Sequence, residues 1–269
     1  MPVRKRFGQH FLHDPAVVAR IAAAIDPRPG QRLLEIGPGR GALTFALLET
    51  VPRLEAIEID RDLAARLVRD PRAAGRLELR IGDALRADFV AMRGAGAPWR
   101  IVGNLPYNIS TPLLFRLIEQ RAAILDVHAM LQKEVVDRIT ASPGSKAYGR
   151  LTVMLAAHAH AERLFDIGPG AFQPPPKVWS SILRLRLSTA PLFDAGDPVA
   201  LQTVVTTAFC HRRKTLRNAL CGLLDPGDIE ACGIDPGARP GTLQPAQFGK
   251  LALRLAARAA SRVPPPTAR

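Results

Sequence analysis

Cysteine, acidic charge and long apolar runs are all in short supply in this chain of 269 residues. The cysteines, Cys210, Cys221 and Cys232, are odd in number and lack the close pairing of a zinc site. They exclude a disulfide framework and indicate small apolar side chains in reduced surroundings. No apolar run approaches bilayer length, and the basic amino terminus lacks the apolar core of a signal peptide. We therefore expect a cytoplasmic protein without a membrane segment or a metal site.

The scarcity of acidic residues leaves the chain strongly basic. It has 37 Lys and Arg against 24 Asp and Glu, a formal net charge of +13 that is spread along the sequence. Such an excess of positive charge favours a polyanionic partner, and nucleic acid above all. A GC-rich coding bias can also produce an Arg-rich, Lys-poor composition, so charge alone leaves both explanations open. With 47% hydrophobic residues, the chain has ample material for a buried core.

Strand-like and helix-like segments alternate through the first part of the chain. One helix is predicted to start at Asp14-Pro15, and others start at Gly41, at Asp60 and after Thr111-Pro112. This order predicts an α/β domain with a mainly parallel sheet. The predicted strands are Arg32–Ile36, Leu54–Ile59, Leu77–Ile81, Arg100–Gly103, Ile124–Leu131, His160–Phe165 and Ser181–Leu187.

A change in composition at Ser188–Pro198 predicts a second domain, because strand patterns disappear after it. We predict a first domain over residues 1–189, a helical domain over 190–262 and a disordered tail over 263–269. Pro and Gly crowd the segment Gly168–Val178, which we expect to be a stiff loop without regular structure. The helices predicted in this part and just before it are Lys133–Thr140, Leu151–His158, Val199–Leu220, Asp228–Cys232 and Gln244–Ala260.

Glycine or polar residues follow four successive predicted strands. They are Gly37 in the loop Glu35–Gly41, then Glu58, Asp83 and Asn104. Parallel strands end at one edge of a sheet, so these residues are expected to meet where open α/β sheets bind ligands. We predict a nucleoside-containing cofactor, with its ribose on Glu58, its adenine amine on Asp83 and its amino-acid part against the Gly37 loop. Each residue taken alone also suits an ordinary helix cap.

The tetrapeptide Asn104-Leu105-Pro106-Tyr107 suits chemistry on an adenine amino group. The N6 amine is a poor nucleophile because its lone pair is delocalised into the ring. The Asn104 amide oxygen and a nearby backbone carbonyl can each accept one N6 hydrogen, and Tyr107 can stack on the base. A plain strand end followed by a turn is the alternative.

Several stretches together carry a close resemblance to one family. The sequence resembles the ribosomal RNA adenine N6,N6-dimethyltransferases, of the type that modifies two adjacent adenosines near the 3′ end of small-subunit RNA. The matching stretches are Arg4–Leu12 (RKRFGQHFL), Glu35–Thr44 (EIGPGRGALT), Ile57–Asp60 (IEID), Gly103–Pro112 (GNLPYNISTP), Met130–Arg138 (MLQKEVVDR), Ser145–Leu151 (SKAYGRL) and Phe172–Val178 (FQPPPKV).

The resemblance implies a Rossmann-like seven-stranded methyltransferase sheet with a small C-terminal helical domain. It also implies S-adenosylmethionine as methyl donor. His10 departs from the family, where many members carry Asn, and Trp179 stands where a smaller or polar residue is expected. The implied cofactor-binding positions are His10, Leu12, Gly37, Gly39, Glu58, Asp83 and Asn104.

The same resemblance implies catalytic positions at Asn104, Leu105, Pro106, Tyr107 and Phe172. Phe172 is expected to form the wall opposite Tyr107 in a sandwich around the adenine; packing in the core is the alternative. No general base is apparent, so positioning and electrostatics are expected to carry most of the rate.

Two basic segments are candidates for contact with RNA phosphates. Helical spacing predicts Arg213 and Arg217 on one face, and His211 beside them is expected to be structural rather than metal-binding. Solvated charged faces are the alternative interpretation. The RNA-binding candidates are Arg4, Lys5, Arg6, Arg212, Arg213, Lys214 and Arg217.

The expected partners are small-subunit ribosomal RNA and the immature small subunit, bound by a monomer. The rival enzymes are the related large-subunit adenine methyltransferases that confer antibiotic resistance, and DNA adenine methyltransferases. The segments Met130–Leu151 and Phe172–Val178 favour the small-subunit type. A non-catalytic assembly factor is a rival of another class. An NAD-dependent dehydrogenase is a weak alternative, because the third glycine of that fingerprint would have to come one residue later.

Overall fold

The computed structural model describes residues 10–261, which form two compact units. The first comprises the described residues up to Val136 together with His160–Thr189, and the second comprises Asp137–Ala159 with the described residues from Ala190 onward. The chain passes from the first unit to the second between Thr189 and Ala190, near the boundary that we predicted at residue 190. Residues 137–159, which we predicted within the first domain, instead group with the second because Tyr148 and Val153 pack in its core.

The first unit is built on a seven-stranded sheet. The described strands are β1 Phe11–Leu12, β2 Arg32–Ile36, β3 Leu54–Glu58, β4 Leu77–Ile81, β5 Trp99–Asn104, β6 Ile124–Gln132, β7 Ala159–Ile167, β8 Phe172–Gln173 and β9 Ser180–Leu187. Their order in the large sheet is β4-β3-β2-β5-β6-β9-β7. Strands β2 to β6 pair in parallel, and β9 pairs antiparallel with β6. The expected α/β class with a mainly parallel sheet is confirmed.

Helices connect and follow these strands. Asp14 caps the first of them by accepting the backbone N–H groups of Ala16 and Val17, as its Asp-Pro start predicts. The described helices are α1 Pro15–Ile25, α2 Ala42–Leu48, α3 Arg61–Arg69, α4 Phe89–Arg93, α5 Ser110–Glu119, α6 Lys133–Ile139, α7 Arg150–Ala156, α8 Pro198–Cys210, α9 Leu216–Ala219, α10 Pro226–Ala231 and α11 Pro245–Ser261. None of the helices within residues 10–261 is long and apolar enough to cross a membrane.

The segment Gly168–Val178 contains more regular structure than we predicted. Phe172–Gln173 forms strand β8, which pairs antiparallel with β1, and the pairing is extended by a hydrogen bond from the His13 N–H to the Ala171 carbonyl. The expectation of a loop without regular structure was therefore wrong at these residues. Proline crowding prevents a long ladder but leaves two residues free to pair with a partner distant in sequence.

The second unit is held together by helices around an aromatic cluster. The rings of Phe209 and Phe248 stack with centroids 5.5 Å apart, and Tyr148 meets Phe209 edge-on at 5.9 Å. The buried Tyr148 hydroxyl donates to the Leu243 carbonyl at 2.7 Å, which satisfies the polar end of an otherwise apolar side chain.

The single helix predicted over Val199–Leu220 is interrupted. Helix α8 ends at Cys210, a turn follows in which the Lys214 N–H bonds to the His211 carbonyl, and α9 begins at Leu216. Arg213 therefore lies in the turn and Arg217 in α9, so the predicted single helical face for this pair was wrong. The apolar periodicity continues across the turn because Leu216 and Leu220 return to the core.

Candidate active site

A pocket opens at the carboxyl edge of the parallel strands in the first unit. The strand ends deliver Gly37, Glu58, Asp83 and Asn104 to its lining, as the strand-end pattern predicts. Strand β1 brings residues of the amino-terminal segment to the same pocket. All seven proposed cofactor residues line it: His10, Leu12, Gly37, Gly39, Glu58, Asp83 and Asn104.

The glycine loop after β2 is shaped by backbone conformations that side chains rarely adopt. Gly37 has φ +70° and Gly39 has φ +59°, and a Cβ on Gly39 would lie only 3.2 Å from the Phe11 ring. The Arg40 guanidinium covers the same ring, 4.4 Å from its centroid. The loop is thus packed on β1 and presents its backbone to the pocket.

Glu58 organises this loop as well as lining the pocket. Its two carboxylate oxygens accept the backbone N–H groups of Gly39, at 3.0 Å, and of Asp60, at 2.9 Å. The residue is 4% exposed, and burial raises the pKa of its carboxyl even though the two backbone hydrogen bonds oppose the rise. A carboxylate oxygen has more than one acceptor site, so Glu58 can bind the loop and a hydroxyl-bearing ligand at once.

Glu35 is a pocket residue that we did not predict as a binding residue. It is the second-last residue of β2, just before the glycine loop. The residue is 2% exposed and accepts a hydrogen bond from the Thr44 hydroxyl at 2.6 Å. Burial raises its pKa to about 7, helped by the neighbouring charge of Glu58 and opposed by the Thr44 hydrogen bond. Glu35 can therefore be protonated near neutral pH.

We expect Glu35→Gln to stabilise the protein in a pH-dependent way. A carboxyl whose pKa is higher in the folded state than its ordinary 4.5 favours folding most below pH 4.5, and this stability is lost as the pH rises toward 7. Wild type and variant should have nearly equal free energies of unfolding at pH 5, with the variant ahead by about 2 kcal/mol at pH 8.

Urea denaturation at both pH values measures this difference. The exposed Glu49 supplies the matched control, since Glu49→Gln should leave the free energy of unfolding unchanged at either pH. A difference between wild type and Glu35→Gln that does not grow between pH 5 and pH 8 would contradict a raised Glu35 pKa.

Asp83 lines the pocket, two residues after β4 ends. Its Oδ1 accepts the Leu85 backbone N–H at 2.9 Å, and its Oδ2 is 3.9 Å from Nε of Arg86. The carboxylate is therefore held by a local turn and lies at ion-pair distance from the Arg86 guanidinium. This leaves acceptor capacity for an amine in the pocket.

Asn104 is oriented by the amino-terminal segment. Its amide nitrogen Nδ2 donates to the His10 carbonyl at 2.8 Å. Because a carbonyl can only accept, this contact assigns the NH₂ group to His10 and leaves the Oδ1 atom as the acceptor of the half-buried side chain. The adjacent Leu105 is buried, and its N–H bonds to the Met130 carbonyl at 3.2 Å, which fixes the start of the turn.

Tyr107 is held at both ends of its side chain. Its hydroxyl is hydrogen-bonded to the Ser180 hydroxyl at 2.7 Å, and its ring stacks on His10 with centroids 5.9 Å apart and planes 28° apart. Burial raises the pKa of the Tyr107 phenol, against the effect of the Ser180 hydrogen bond. His10 is itself fixed, since its Nδ1 donates to the Pro174 carbonyl at 2.8 Å.

Phe172 does not lie where we predicted it. The side chain is 2% exposed, belongs to a hydrophobic cluster with Leu12 and Val18, and does not line the pocket. The expected sandwich of Tyr107 and Phe172 was wrong for this structure, in which His10 is the ring beside Tyr107. Pairing of β8 with β1 turns Phe172 into the core, where full burial of an aromatic ring is favourable.

His128 is a second pocket residue that sequence reasoning missed. It is 3% exposed on β6, and its Nδ1 lies 3.6 Å from Oδ1 of Asp126. Neither ring nitrogen has a hydrogen-bond partner among the residues that the structure describes. Asp126 is thus a nearby charge that forms no hydrogen bond to the ring. A buried imidazole without hydrogen bonds is costly, so its place in the pocket wall adds a polar group that a ligand or ordered water can satisfy.

The structure places the basic candidates of the second unit in different roles. The Arg212 guanidinium donates to the backbone carbonyls of Ser145 and Lys146, each at 2.8 Å, and thereby fixes that loop. Arg213, Lys214 and Arg217 are exposed. The other predicted cluster, Arg4, Lys5 and Arg6, lies outside the described residues.

Comparison with known proteins identifies the family of this chain. The model of the ribosomal RNA adenine dimethylase family matches residues 2–257. Ribosomal RNA small subunit methyltransferase A of Pseudomonas aeruginosa is 53% identical over 253 residues, which cover 94% of each chain. Its counterpart of Methylococcus capsulatus is 52% identical over 252 residues, covering 94% of this chain and 97% of the relative.

Solved structures share the architecture. The 23S rRNA methyltransferase ErmE has a TM-score of 0.72 at 28% identity, covering 91% of this chain and 99% of its own. A dimethyladenosine transferase from Plasmodium falciparum has a TM-score of 0.78 at 24% identity, covering 93% and 98% respectively, which shows likeness of fold. Given the family match and the identity to relatives over most of its length, the chain belongs to the ribosomal RNA adenine dimethylase family.

Proposed function

We propose that this chain methylates N6 of two adjacent adenosines near the 3′ end of small-subunit (16S) ribosomal RNA, producing N6,N6-dimethyladenosine. The observation that carries the proposal is the orientation of Asn104, whose amide oxygen is left to accept an amine in the pocket that Glu58 also lines. Family membership and the small-subunit relatives support this substrate over large-subunit RNA and DNA.

S-adenosylmethionine is the proposed methyl donor, and the polar groups that line the pocket fit it. Glu58 supplies acceptors for ribose hydroxyls, Asp83 for an adenine amine, and the Gly37–Gly39 backbone lies open for close approach. When bound, the cofactor supplies an electrophilic methyl group on a sulfonium. His10 and Leu12 complete the wall from β1, so the amino-terminal segment takes part in binding.

The role of the chain in the transfer is to orient the adenine amine. Asn104 Oδ1 and the Leu105 carbonyl each accept one N6 hydrogen, which draws the nitrogen lone pair out of the ring and toward the methyl group. Pro106 fixes the turn between Leu105 and Tyr107, and Tyr107 holds the base by stacking. The amine becomes strongly acidic as the new N–C bond forms, so its proton can leave to water without a dedicated base.

The proposed RNA contacts lie in both basic segments. Arg213, Lys214 and Arg217 are exposed and suited to phosphate, and Arg212 supports them by fixing the neighbouring loop. Arg4, Lys5 and Arg6 remain proposed contacts from the sequence. We further propose a monomer that acts on the immature small subunit during its maturation. A cytoplasmic location belongs to the same proposal, because ribosomal RNA is the substrate.

Labelled S-adenosylmethionine offered with three nucleic acids tests the proposal. Unmethylated small subunits, large-subunit RNA and duplex DNA are incubated separately with the protein, and label in each is counted. We expect label in the small subunits alone. Label confined to large-subunit RNA or to DNA would overturn the substrate assignment.

A further inference from the structure

Trp179 is a large aromatic side chain that stands in solvent. It is 55% exposed, whereas the other tryptophan of the chain, Trp99, is fully buried and donates its indole N–H to Glu55. A buried tryptophan contributes to stability through its apolar area, but an exposed one gives up most of that contribution. Its position therefore calls for an explanation other than packing.

The backbone around Trp179 is fixed at the pocket edge of the sheet. The residue directly precedes β9, and its carbonyl accepts the Lys133 N–H at 2.9 Å. The next residue, Ser180, is the hydrogen-bond partner of the Tyr107 hydroxyl. Trp179 is thus the sequence neighbour of Ser180, whose hydroxyl holds the Tyr107 ring that is proposed to stack on the adenine.

One edge of the indole lies near Gly168. A Cβ added to Gly168 would lie 3.7 Å from its Cη2 atom and 3.9 Å from its Cζ3 atom, so the far edge of the ring rests over that glycine. A Cβ at Gly168 would make only an ordinary van der Waals contact with the ring, and more than half of the Trp179 side chain stays exposed. A tryptophan side chain has only two rotatable bonds, so it loses little conformational entropy when another ring stacks on it.

Cationic side chains lie in the same region of the first unit. Lys177, which is exposed, precedes Trp179 by two residues. Lys133 is the residue whose backbone N–H donates to the Trp179 carbonyl. Asp166 lies within 3.8 Å of both Lys133 and Arg163 and offsets part of their charge. An exposed aromatic ring among cations is the combination with which proteins bind single-stranded nucleic acids.

We propose that Trp179 is a stacking platform for a base next to the target adenosine in single-stranded ribosomal RNA. An adenine that reaches Tyr107 has left the stack of its neighbours, and the adjacent base loses a partner as a result. The Trp179 indole replaces that partner and holds the strand while the adenine occupies the pocket. This inference rests on the proposed function and adds a substrate contact to it.

Tryptophan fluorescence tests the contact directly. In a Trp99→Phe variant, Trp179 is the only tryptophan and therefore the only source of tryptophan fluorescence. Wild type serves as a second sample, because iodide, a quencher in solution, does not reach the buried Trp99. The probe is a protein-free RNA that carries the two adjacent adenosines in a single-stranded loop. We expect this RNA to lower the iodide quenching constant of Trp179 severalfold, and unchanged quenching at saturating RNA would overturn the proposal.

Kinetics on unmethylated small subunits give the second readout. Trp179→Ala is expected to raise the KM for the subunit about tenfold, equivalent to ~1.4 kcal/mol, with kcat and S-adenosylmethionine affinity within about twofold of wild type. Trp179→Phe keeps a stacking ring and should raise the KM less than about threefold. The control is Leu125→Ala, which removes a side chain of similar exposure, 53%, at the start of β6 and should leave the KM unchanged.

The two readouts separate the possible failures. A raised KM in Trp179→Ala without protection by protein-free RNA would identify a ribosomal protein as the partner and overturn the RNA contact. An unchanged KM would overturn it as well. Absence of methylation by the wild-type protein would instead contradict the proposed function, whatever the fluorescence shows.

Discussion

Replacing Asn104 by alanine is expected to lower the rate of methyl transfer by about a thousandfold and to leave small-subunit binding intact. The substitution removes the acceptor that the His10 contact turns toward the pocket. Without it the N6 amine keeps its lone pair in the ring, and the transition state loses an oriented hydrogen bond. Single-turnover kinetics with excess enzyme measure the rate, and sedimentation with unmethylated subunits measures binding.

Two further variants make the Asn104 experiment specific. Asn104→Asp keeps an acceptor but replaces the donor to the His10 carbonyl with another acceptor, so cofactor affinity should fall together with the rate. Asn218→Ala makes the same chemical change at an exposed position in α9 and should have no effect on either quantity. Equal loss of subunit binding and methylation in Asn104→Ala would contradict the assigned role.

Glu58→Ala is expected to weaken S-adenosylmethionine binding about 100-fold, or ~2.8 kcal/mol. The variant leaves the backbone N–H groups of Gly39 and Asp60 without their acceptor and removes the proposed ribose contact. Each buried donor left unpaired costs about 1–3 kcal/mol, so the glycine loop should also lose its fixed shape. Isothermal titration calorimetry measures the dissociation constant.

Glu58→Gln is expected to weaken S-adenosylmethionine binding less than Glu58→Ala does. Its single carbonyl oxygen can accept from one of the two N–H groups, while its NH₂ group faces the other, so an intermediate loss of affinity is expected. Glu49→Ala, an exposed glutamate in the same unit, should retain the wild-type dissociation constant. Wild-type affinity in Glu58→Ala would show that the carboxylate does not hold the cofactor.

Much of the large sheet was predictable because its signals are local. Arg32–Ile36 and Leu77–Ile81 match β2 and β4 in both bounds, since each is a short apolar or alternating run between clear helix and turn signals. Strand β8 was missed because two residues carry no period of their own. They become a strand only through Phe11–Leu12, whose position depends on the path of a distant segment.

The pocket shows the same division between local and distant determinants. Gly37, Glu58 and Asn104 were predictable because a parallel sheet gathers its strand ends at one edge. The ring beside Tyr107 was not, because it depends on where the amino-terminal segment places His10 and on which side of β8 Phe172 turns. The raised pKa of Glu35 follows from its burial, which its sequence neighbours do not reveal.

Mass-spectrometric mapping of methylated adenosines is the decisive test of the proposed reaction. Small subunits that lack the modification are incubated with the protein and S-adenosylmethionine, and the RNA is digested and analysed for methylated positions. We expect N6,N6-dimethyladenosine at two adjacent positions near the 3′ end of the small-subunit RNA with the wild-type protein, and at neither position with Asn104→Ala. Unmodified adenosines at those positions after reaction with the wild-type protein, or methylation at unrelated sites alone, would contradict the proposed reaction.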